Sequence, residues 1–119
     1  MAAATGKFVE TFNQIKSIAS DLTAVNTTDG IKFDCKKYPN ERIMFIIANT
    51  EASTAKDVKV LKPTSGGYAA ADADIVLEDL AAGTQAVVFV ESAKYANKDG
   101  SIYLLGESAN VKVVAVVIK

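Results

Sequence analysis

The sequence predicts an all-β fold, an antiparallel β-sandwich or jelly roll of about seven to eight strands that spans residues 23–119. Short apolar runs, several of which alternate with polar residues, are separated by clusters of Gly, Asn, Asp and Ser. Only the first 22 residues show a helical spacing of apolar side chains. With 119 residues, 50% of them hydrophobic, and two prolines, the chain suits a single globular domain.

The central stretch of the predicted fold is the apolar run over residues 42–50. As a strand, it would carry Ile43, Phe45 and Ile47 on one face and Met44, Ile46 and Ala48 on the other. A strand with one face in water alternates between apolar and polar residues, so this pattern predicts burial on both faces. A buried helical segment is the alternative, but the β-branched content, the short length and the flanking turn residues favour a strand.

Residues 31–36 alternate apolar and charged side chains, which is typical of a half-buried strand and places Cys35 on its core face. A reactive cysteine needs a base or a positive neighbour that lowers its pKa, and the chain has no histidine. We therefore expect Cys35 to be a buried, inert thiol. Further strands are predicted at residues 57–62, 73–80, 85–91, 101–105 and 110–118.

Residues 1–22 are predicted to form an N-terminal arm, and residues 7–22 favour a short amphipathic helix. Apolar residues recur there at spacings of three and four, at Phe8, Phe12, Ile15, Ile18, Ala19 and Leu22. A strand is the alternative, but period two appears only over residues 8–12. Such an apolar stripe buries against its own domain or against a neighbouring subunit. We expect a partner interface at Phe8, Phe12, Ile15 and Leu22.

The charge and composition of the chain predict which classes of partner it lacks and in which cellular compartment it is made. Thirteen basic and fourteen acidic residues leave a net charge of −1 and no basic block, so we expect no nucleic-acid partner. The sequence has no apolar run long enough to span a bilayer and no secretory signal pattern, so we expect no membrane partner. A single cysteine rules out an internal disulfide and favours synthesis in a reducing cytoplasm.

No catalytic, cofactor-binding or metal-binding residue is predicted, and an enzyme is disfavoured. Asp72, Asp74, Glu78 and Asp79 form an acidic neighbourhood, but they lack the spacing of an EF-hand, which favours a solvated face. The glycine pair at residues 66–67 lacks the Walker pattern and its lysine, which favours a turn over a phosphate-binding loop.

A succession of turns and strands in the C-terminal half carries a family resemblance. It runs through Asn49-Thr50, Val58-Lys59-Val60, Leu80-Ala81-Ala82-Gly83-Thr84, Glu91-Ser92-Ala93-Lys94-Tyr95 and Asp99-Gly100-Ser101-Ile102-Tyr103 and ends in a valine-rich strand. This pattern, over roughly residues 30–118, resembles the capsid decoration (cement, or head auxiliary) proteins of tailed bacteriophages. The resemblance does not include residues 7–22. It implies a β-sandwich without enzymatic activity that binds the major capsid protein on the outer surface of the shell.

Strands that are apolar on both faces leave more hydrophobic surface than one small core needs, and such surface often marks a subunit interface. We therefore expect binding to the major capsid protein and, as a further partner, to other copies of this chain in a homo-oligomer. The expected location is the capsid surface of a virion made in the host cytoplasm. The alternatives are a tail or head-fibre subunit and a carbohydrate-binding β-sandwich. The last normally exposes aromatic residues, and this chain has no Trp and four Tyr.

Overall fold

The computed structural model describes residues 3–11, 17–38, 42–65 and 70–118. Within these ranges the chain forms ten strands, one 3-10 turn at Ala19–Asp21 and one short helix, α1, at Ser92–Tyr95. The strands are β1 (Ala4–Thr5), β2 (Phe8–Thr11), β3 (Thr23–Ala24), β4 (Ile31–Asp34), β5 (Arg42–Asn49), β6 (Lys56–Val60), β7 (Ile75–Leu80), β8 (Gln85–Glu91), β9 (Ser101–Gly106) and β10 (Val111–Ile118).

The strands form two five-stranded sheets. The first has the order β1-β4-β9-β6-β7, and the second has the order β2-β10-β5-β8 with β3 also paired to β10. The all-β prediction is confirmed, and the strands predicted from residue 31 onward correspond to β4 to β10. The prediction of antiparallel pairing is wrong for two pairs, because β1 runs parallel to β4 and β2 parallel to β10, while the other described strand pairs are antiparallel. Both parallel pairs join strands far apart in sequence, as parallel pairing requires, since a hairpin cannot connect parallel neighbours.

The prediction of a helix over residues 7–22 is wrong for the described residues at both ends of this segment, 7–11 and 17–22. Its first part is strand β2, which pairs with residues 115–118 of β10, and its last part contains only the 3-10 turn. Residues 12–16, which include Phe12 and Ile15, lie outside the described residues. Phe8 and Val9 pack in two different hydrophobic clusters on opposite faces of the second sheet. Consecutive residues separate in this way on a strand, because its side chains alternate between faces.

The chain crosses from the first sheet to the second between β1 and β2. The Gly6 N–H donates to the Lys32 carbonyl in the first sheet at 2.8 Å, and the Lys7 carbonyl accepts from the Ala115 N–H in the second sheet at 3.1 Å. A Cβ at Gly6 would lie 2.2 Å from the Phe33 ring. The crossing therefore requires glycine, because any side chain would collide with the core.

One hydrophobic core joins the two sheets. Phe33 of the first sheet and Phe45 of the second are both 0% exposed, and their ring centroids lie 5.0 Å apart. Other fully buried members are Ile31, Ile43, Val58, Val60, Ile102, Leu104, Val111, Val113 and Val117. Cys35, which directly follows β4, belongs to the same core at 1% exposure, and its predicted position on the core side is confirmed.

A second, smaller cluster lies on the opposite face of the second sheet, called here the outer face. Its buried members are Val9, Val114 and Val116, and Ile18, Leu22, Met44 and Ile46 pack partly buried against them. The predicted burial of β5 is thus complete on its inner face and partial on its outer face. Ile18 and Leu22 show that part of the N-terminal region packs on the chain's own sheet.

Candidate functional site: an apolar strip on the second sheet

The register of the second sheet aligns apolar side chains into two rows across its outer face. The first row consists of the successive cross-strand partners Phe89, Met44, Val116 and Val9. The second row consists of Val87, Ile46 and Val114. Directly opposed residues on one face of a sheet lie close enough for their side chains to touch. The rows therefore merge into one continuous apolar surface that runs from β2 to β8.

Exposure increases along both rows toward β8. Val9, Val114 and Val116 are at most 6% exposed, and Ile18 and Leu22 pack against them. Met44 and Ile46 on β5 are half-buried. Val87 and Phe89 on β8 are 58% and 55% exposed. We call Met44, Ile46, Val87 and Phe89 the outer strip.

The turn before β8 is held by Asn49, a buried polar residue at the end of β5. The Asn49 side-chain amide donates to the Leu80 carbonyl at 2.8 Å and to the Thr54 carbonyl at 3.0 Å. Its backbone N–H donates to the Thr84 carbonyl at 3.0 Å, and its carbonyl accepts from the Gly83 N–H at 2.8 Å. Buried polar groups must be hydrogen-bonded to avoid a large desolvation cost. These bonds meet that need and also fix where β8 begins relative to β5.

The far end of β8 is held by contacts through α1. Ser92 is 0% exposed, and its hydroxyl donates to the Tyr38 carbonyl at 2.5 Å. The Tyr38 hydroxyl in turn donates to the Glu10 carboxylate on β2. This hydrogen bond, together with burial and the negative charge of Glu10, raises the pKa of Tyr38 to about 12. The exposed half of the outer strip, Val87 and Phe89, is therefore carried by a strand that is fixed at both ends.

The four residues predicted as a partner interface do not share one stripe in the described part of the chain. Phe8 is half-buried on the inner side, with its ring centroid 5.7 Å from that of Phe33 and 5.2 Å from that of Tyr38. Leu22 packs on the outer face. Phe12 and Ile15 lie outside the described residues. Partner binding by these four residues stays a prediction.

Sequence reasoning did not single out Val87 and Phe89. The signal that contains them is the uninterrupted apolar run over residues 86–90, which identifies a strand with two apolar faces. The expectation that strands with two apolar faces leave hydrophobic surface uncovered includes this strand. The run cannot indicate which face the rest of the chain covers.

The Cys35 thiol is poorly suited to nucleophilic chemistry. Burial, reinforced by the negative charge of Asp34, raises its pKa to about 12. A thiol with such a pKa is almost entirely protonated at neutral pH, and only the thiolate is a good nucleophile. This agrees with the expectation of an inert thiol.

A shallow groove of about 380 Å³ lies beside α1 and includes Lys36, Asn97, Lys98 and Asp99 in its lining. The Asp99 carboxylate accepts hydrogen bonds from the Ser101 N–H at 3.0 Å and the Ser101 hydroxyl at 2.5 Å, which lower the pKa of Asp99. The Asn97 side-chain amide donates to the Ser101 carbonyl at 3.0 Å. These polar groups hold the turn before β9 in place.

Residues 3–11, 17–38, 42–65 and 70–118 include no helix with the length and apolar character of a membrane span. They also contain no group of three or more His, Cys, Asp or Glu residues that could hold a metal ion. The chain matches no protein-family model, no curated protein and no solved structure.

Proposed function

We propose that this chain is a non-enzymatic virion protein, a capsid decoration protein that binds the outer surface of the major capsid protein shell and stabilises it. The observation that carries the proposal is the outer strip. There, Val87 and Phe89 are more than half exposed beside the half-buried Met44 and Ile46. Clustered large apolar side chains on a soluble domain mark sites of protein–protein contact.

The proposed architecture behind this function is a β-sandwich. In support, the inner faces of both sheets contribute to one core, and the Phe33 and Phe45 rings meet between them. Two sheets that interdigitate their inner side chains are the defining feature of sandwich packing. A sandwich with one partly open outer face suits a shell-binding protein. Binding to a symmetric lattice needs area and repetition, because many weak contacts act together.

Two of the segments that carry the family resemblance, residues 80–84 and 91–95, lie at the two ends of β8, whereas residues 58–60 and 101–103 belong to the first sheet. Residues 80–84 form the turn before β8, which Asn49 holds in place. Residues 91–95 form the end of β8 and α1. These two segments therefore flank the strand on which Val87 and Phe89 are exposed. This placement supports the proposal, since the resemblance and the apolar surface concern the same strand.

The test is binding of the purified protein to empty capsids assembled from the major capsid protein of the same genome, measured by co-sedimentation and by capsid melting temperature. We expect saturable binding that raises the melting temperature. The double variant Val87→Thr, Phe89→Ser should lose most of this binding. Val76→Thr is the matched control, because Val76 is 49% exposed on the other sheet; this variant should bind like the wild type.

Two outcomes would overturn the proposal. The first is a wild-type protein that fails to bind the capsids. The second is a protein that associates with isolated tails or head fibres, or with glycans on an array, and not with capsids. Tail or fibre binding would indicate another virion part, and glycan binding would indicate a carbohydrate-binding module.

A further inference from the structure

We propose that β8 pairs edge to edge with β8 of a second copy of this chain, antiparallel and about a two-fold axis that passes through Val88. This inference concerns self-association and does not depend on capsid binding. Strand β8 lies at the edge of the second sheet, and β5 is its only pairing partner among the described strands. An edge strand presents a row of backbone N–H and C=O groups that can pair with another strand.

Strand β8 lacks the features that usually protect an edge. Its register with β5 runs without interruption over seven residue pairs, so no bulge twists the edge away. Residues 86–90 contain no charge, no proline and no glycine. A long, regular and apolar edge strand favours pairing with a further strand.

Strand β7, one of the two edge strands of the first sheet, is built differently. Its pairing with β6 shifts register between Lys56 and Val58, and Asp79 has a positive φ of 54°. Glu78 and Asp79 place two adjacent negative charges on β7. Irregularity and charge both discourage edge-to-edge pairing. Of the edge strands β7 and β8, β8 is the one whose regular, uncharged centre favours pairing with a further strand.

We identify the partner strand as β8 of a second copy because the sequence of β8 is nearly symmetric about Val88 in its chemistry. When two copies run antiparallel with Val88 opposite itself, every apolar residue faces an apolar residue. The remaining pairs are Val87 with Phe89, Ala86 with Val90, and Gln85 with Glu91. Ala86 and Val87 then face the larger Val90 and Phe89. The Glu91 carboxylate faces the Gln85 amide rather than a second carboxylate. Cross-strand pairs of this kind stabilise a sheet, whereas directly opposed like charges destabilise it.

Neighbouring two-fold registers fit less well. An axis through Phe89 would set Val87 opposite the charged Glu91, and an axis through Val87 would set Phe89 opposite Gln85. The Val88 register alone among these three pairs the two exposed apolar residues with each other. It also keeps Val87 and Phe89 of both copies on one face, beside Met44 and Ile46 of each. The two outer strips thereby join into one apolar surface across a continuous sheet.

The first experiment is sedimentation equilibrium of the full chain over a wide concentration range. We expect a reversible species of twice the 12.6 kDa chain mass. Val87→Lys should raise the dimer dissociation constant about tenfold or more, because it puts a charge opposite Phe89 of the second copy. Val76→Lys is the control on β7 and should leave the constant unchanged. Thermal melting of each variant establishes that it is folded, as the exposure of Val87 and Val76 leads us to expect.

The second experiment tests the register by oxidation of single cysteines in a Cys35→Ala background. Val88→Cys should crosslink rapidly between copies, because residue 88 faces itself at a distance that a disulfide can bridge. Val87→Cys should crosslink slowly, because it faces residue 89 of the other copy.

A wild type that stays monomeric at several hundred micromolar would overturn the proposal. So would a dimer that is unaffected by Val87→Lys, or faster crosslinking at residue 87 than at residue 88.

Discussion

The two faces of the second sheet are similarly apolar in sequence but differ in how completely the rest of the chain covers them. On the inner face, Phe45 and Val113 are 0% exposed, because the first sheet packs against them. On the outer face, exposure rises from 0% at Val114 to 58% at Val87. In the hydrophobic cluster on this face, Ile18 and Leu22 pack from outside the sheet against Val9, Val114 and Val116.

This difference shows that covering elements, and not the hydrophobicity of a strand, determine burial. Ile43, Phe45 and Ile47 on β5 are at most 2% exposed, whereas Met44 and Ile46 between them are half-buried. The same strand therefore contributes to the core through one face and to a candidate interface through the other. Substitutions on the two faces should separate stability from binding.

The largest effect is expected at the inner face of β5. Phe45→Ala should reduce the free energy of unfolding by roughly 3–5 kcal/mol, because it removes a fully buried ring and leaves a cavity. The neighbouring Met44→Ala is the matched comparison and should cost clearly less, because Met44 is half-buried. Urea unfolding followed by circular dichroism measures both values. Equal losses would mean that the two faces are equally important for stability.

A smaller effect is expected where the N-terminal region covers the outer face. Leu22→Ala should cost about 1–2 kcal/mol, less than a fully buried leucine, because the Leu22 side chain is only half-buried. The exposed Ser20 provides the control, since Ser20→Ala should change stability by less than about 0.5 kcal/mol. Thermal and urea unfolding provide the measurement. A Leu22→Ala protein as stable as the wild type would show that this cover does not contribute.

Cys35 tests the inner face with a small side chain. Cys35→Ala should cost about 1 kcal/mol, the scale of a modest core truncation. In the native wild type, a small alkylating reagent should label the thiol slowly, because Cys35 is 1% exposed and its pKa is raised to about 12. The urea-unfolded protein is the control and should react rapidly. Equally rapid labelling of the native protein would contradict burial.

Tyr38 lies at the rim of the inner face and links it to β2. Its hydrogen bond to Glu10 raises its pKa from 10.0 to about 12, so the folded state favours the protonated phenol. That contribution is complete below pH 10 and is lost as the pH rises toward about 12. Tyr38→Phe should therefore cost about 1 kcal/mol at neutral pH. It should also lose less stability than the wild type between about pH 10 and 12, the interval between the unfolded and folded pKa values. Parallel pH dependences of the two melting temperatures would contradict this role.

The smallest effect on stability is expected at the outer strip. Phe89→Ser should change the free energy of unfolding by less than about 0.5 kcal/mol, because the ring is already 55% exposed. The same variant should weaken both proposed interactions, since Phe89 belongs to the outer strip and to the proposed β8 pairing. Stability and dimerisation measured on one preparation provide the check. A loss of stability close to that of Phe45→Ala would mean that Phe89 belongs to the core.

Most strands were predictable because their local patterns carry the information. The alternation over residues 31–36 identifies β4, and the apolar run over residues 42–50 bounded by turn residues identifies β5. The N-terminal strands were not predictable in this way. Strand β2 has apolar residues on both faces, Phe8 inward and Val9 outward, which hides period two and resembles a helical spacing. Strands β1 and β3 have two residues each, too few for any periodicity.

The candidate site was less predictable than the fold. The surplus of apolar surface could be inferred from the continuous runs in β5, β8 and β10, but its location could not. Val87 and Val88 are identical residue types that face opposite sides, and only the first is on an open surface. Which face is open depends on where residues 17–22 pass over the sheet, and this is a long-range property. Local sequence therefore predicts the strand but not the interface.

The position of β10 has a consequence for biosynthesis. Strand β10 lies between β2 and β5 in the second sheet, yet it follows the nine other described strands along the chain. About 100 residues separate β2 from β10, so at about 5–20 residues per second a ribosome needs roughly 5–20 s to produce this partner. Until β10 is made, β2 lacks the strand that pairs with it, and β8, once translated, is the only described partner available to β5. The second sheet must therefore be completed after translation of residue 118, and a chain stalled before β10 should depend on chaperones that bind exposed apolar strands.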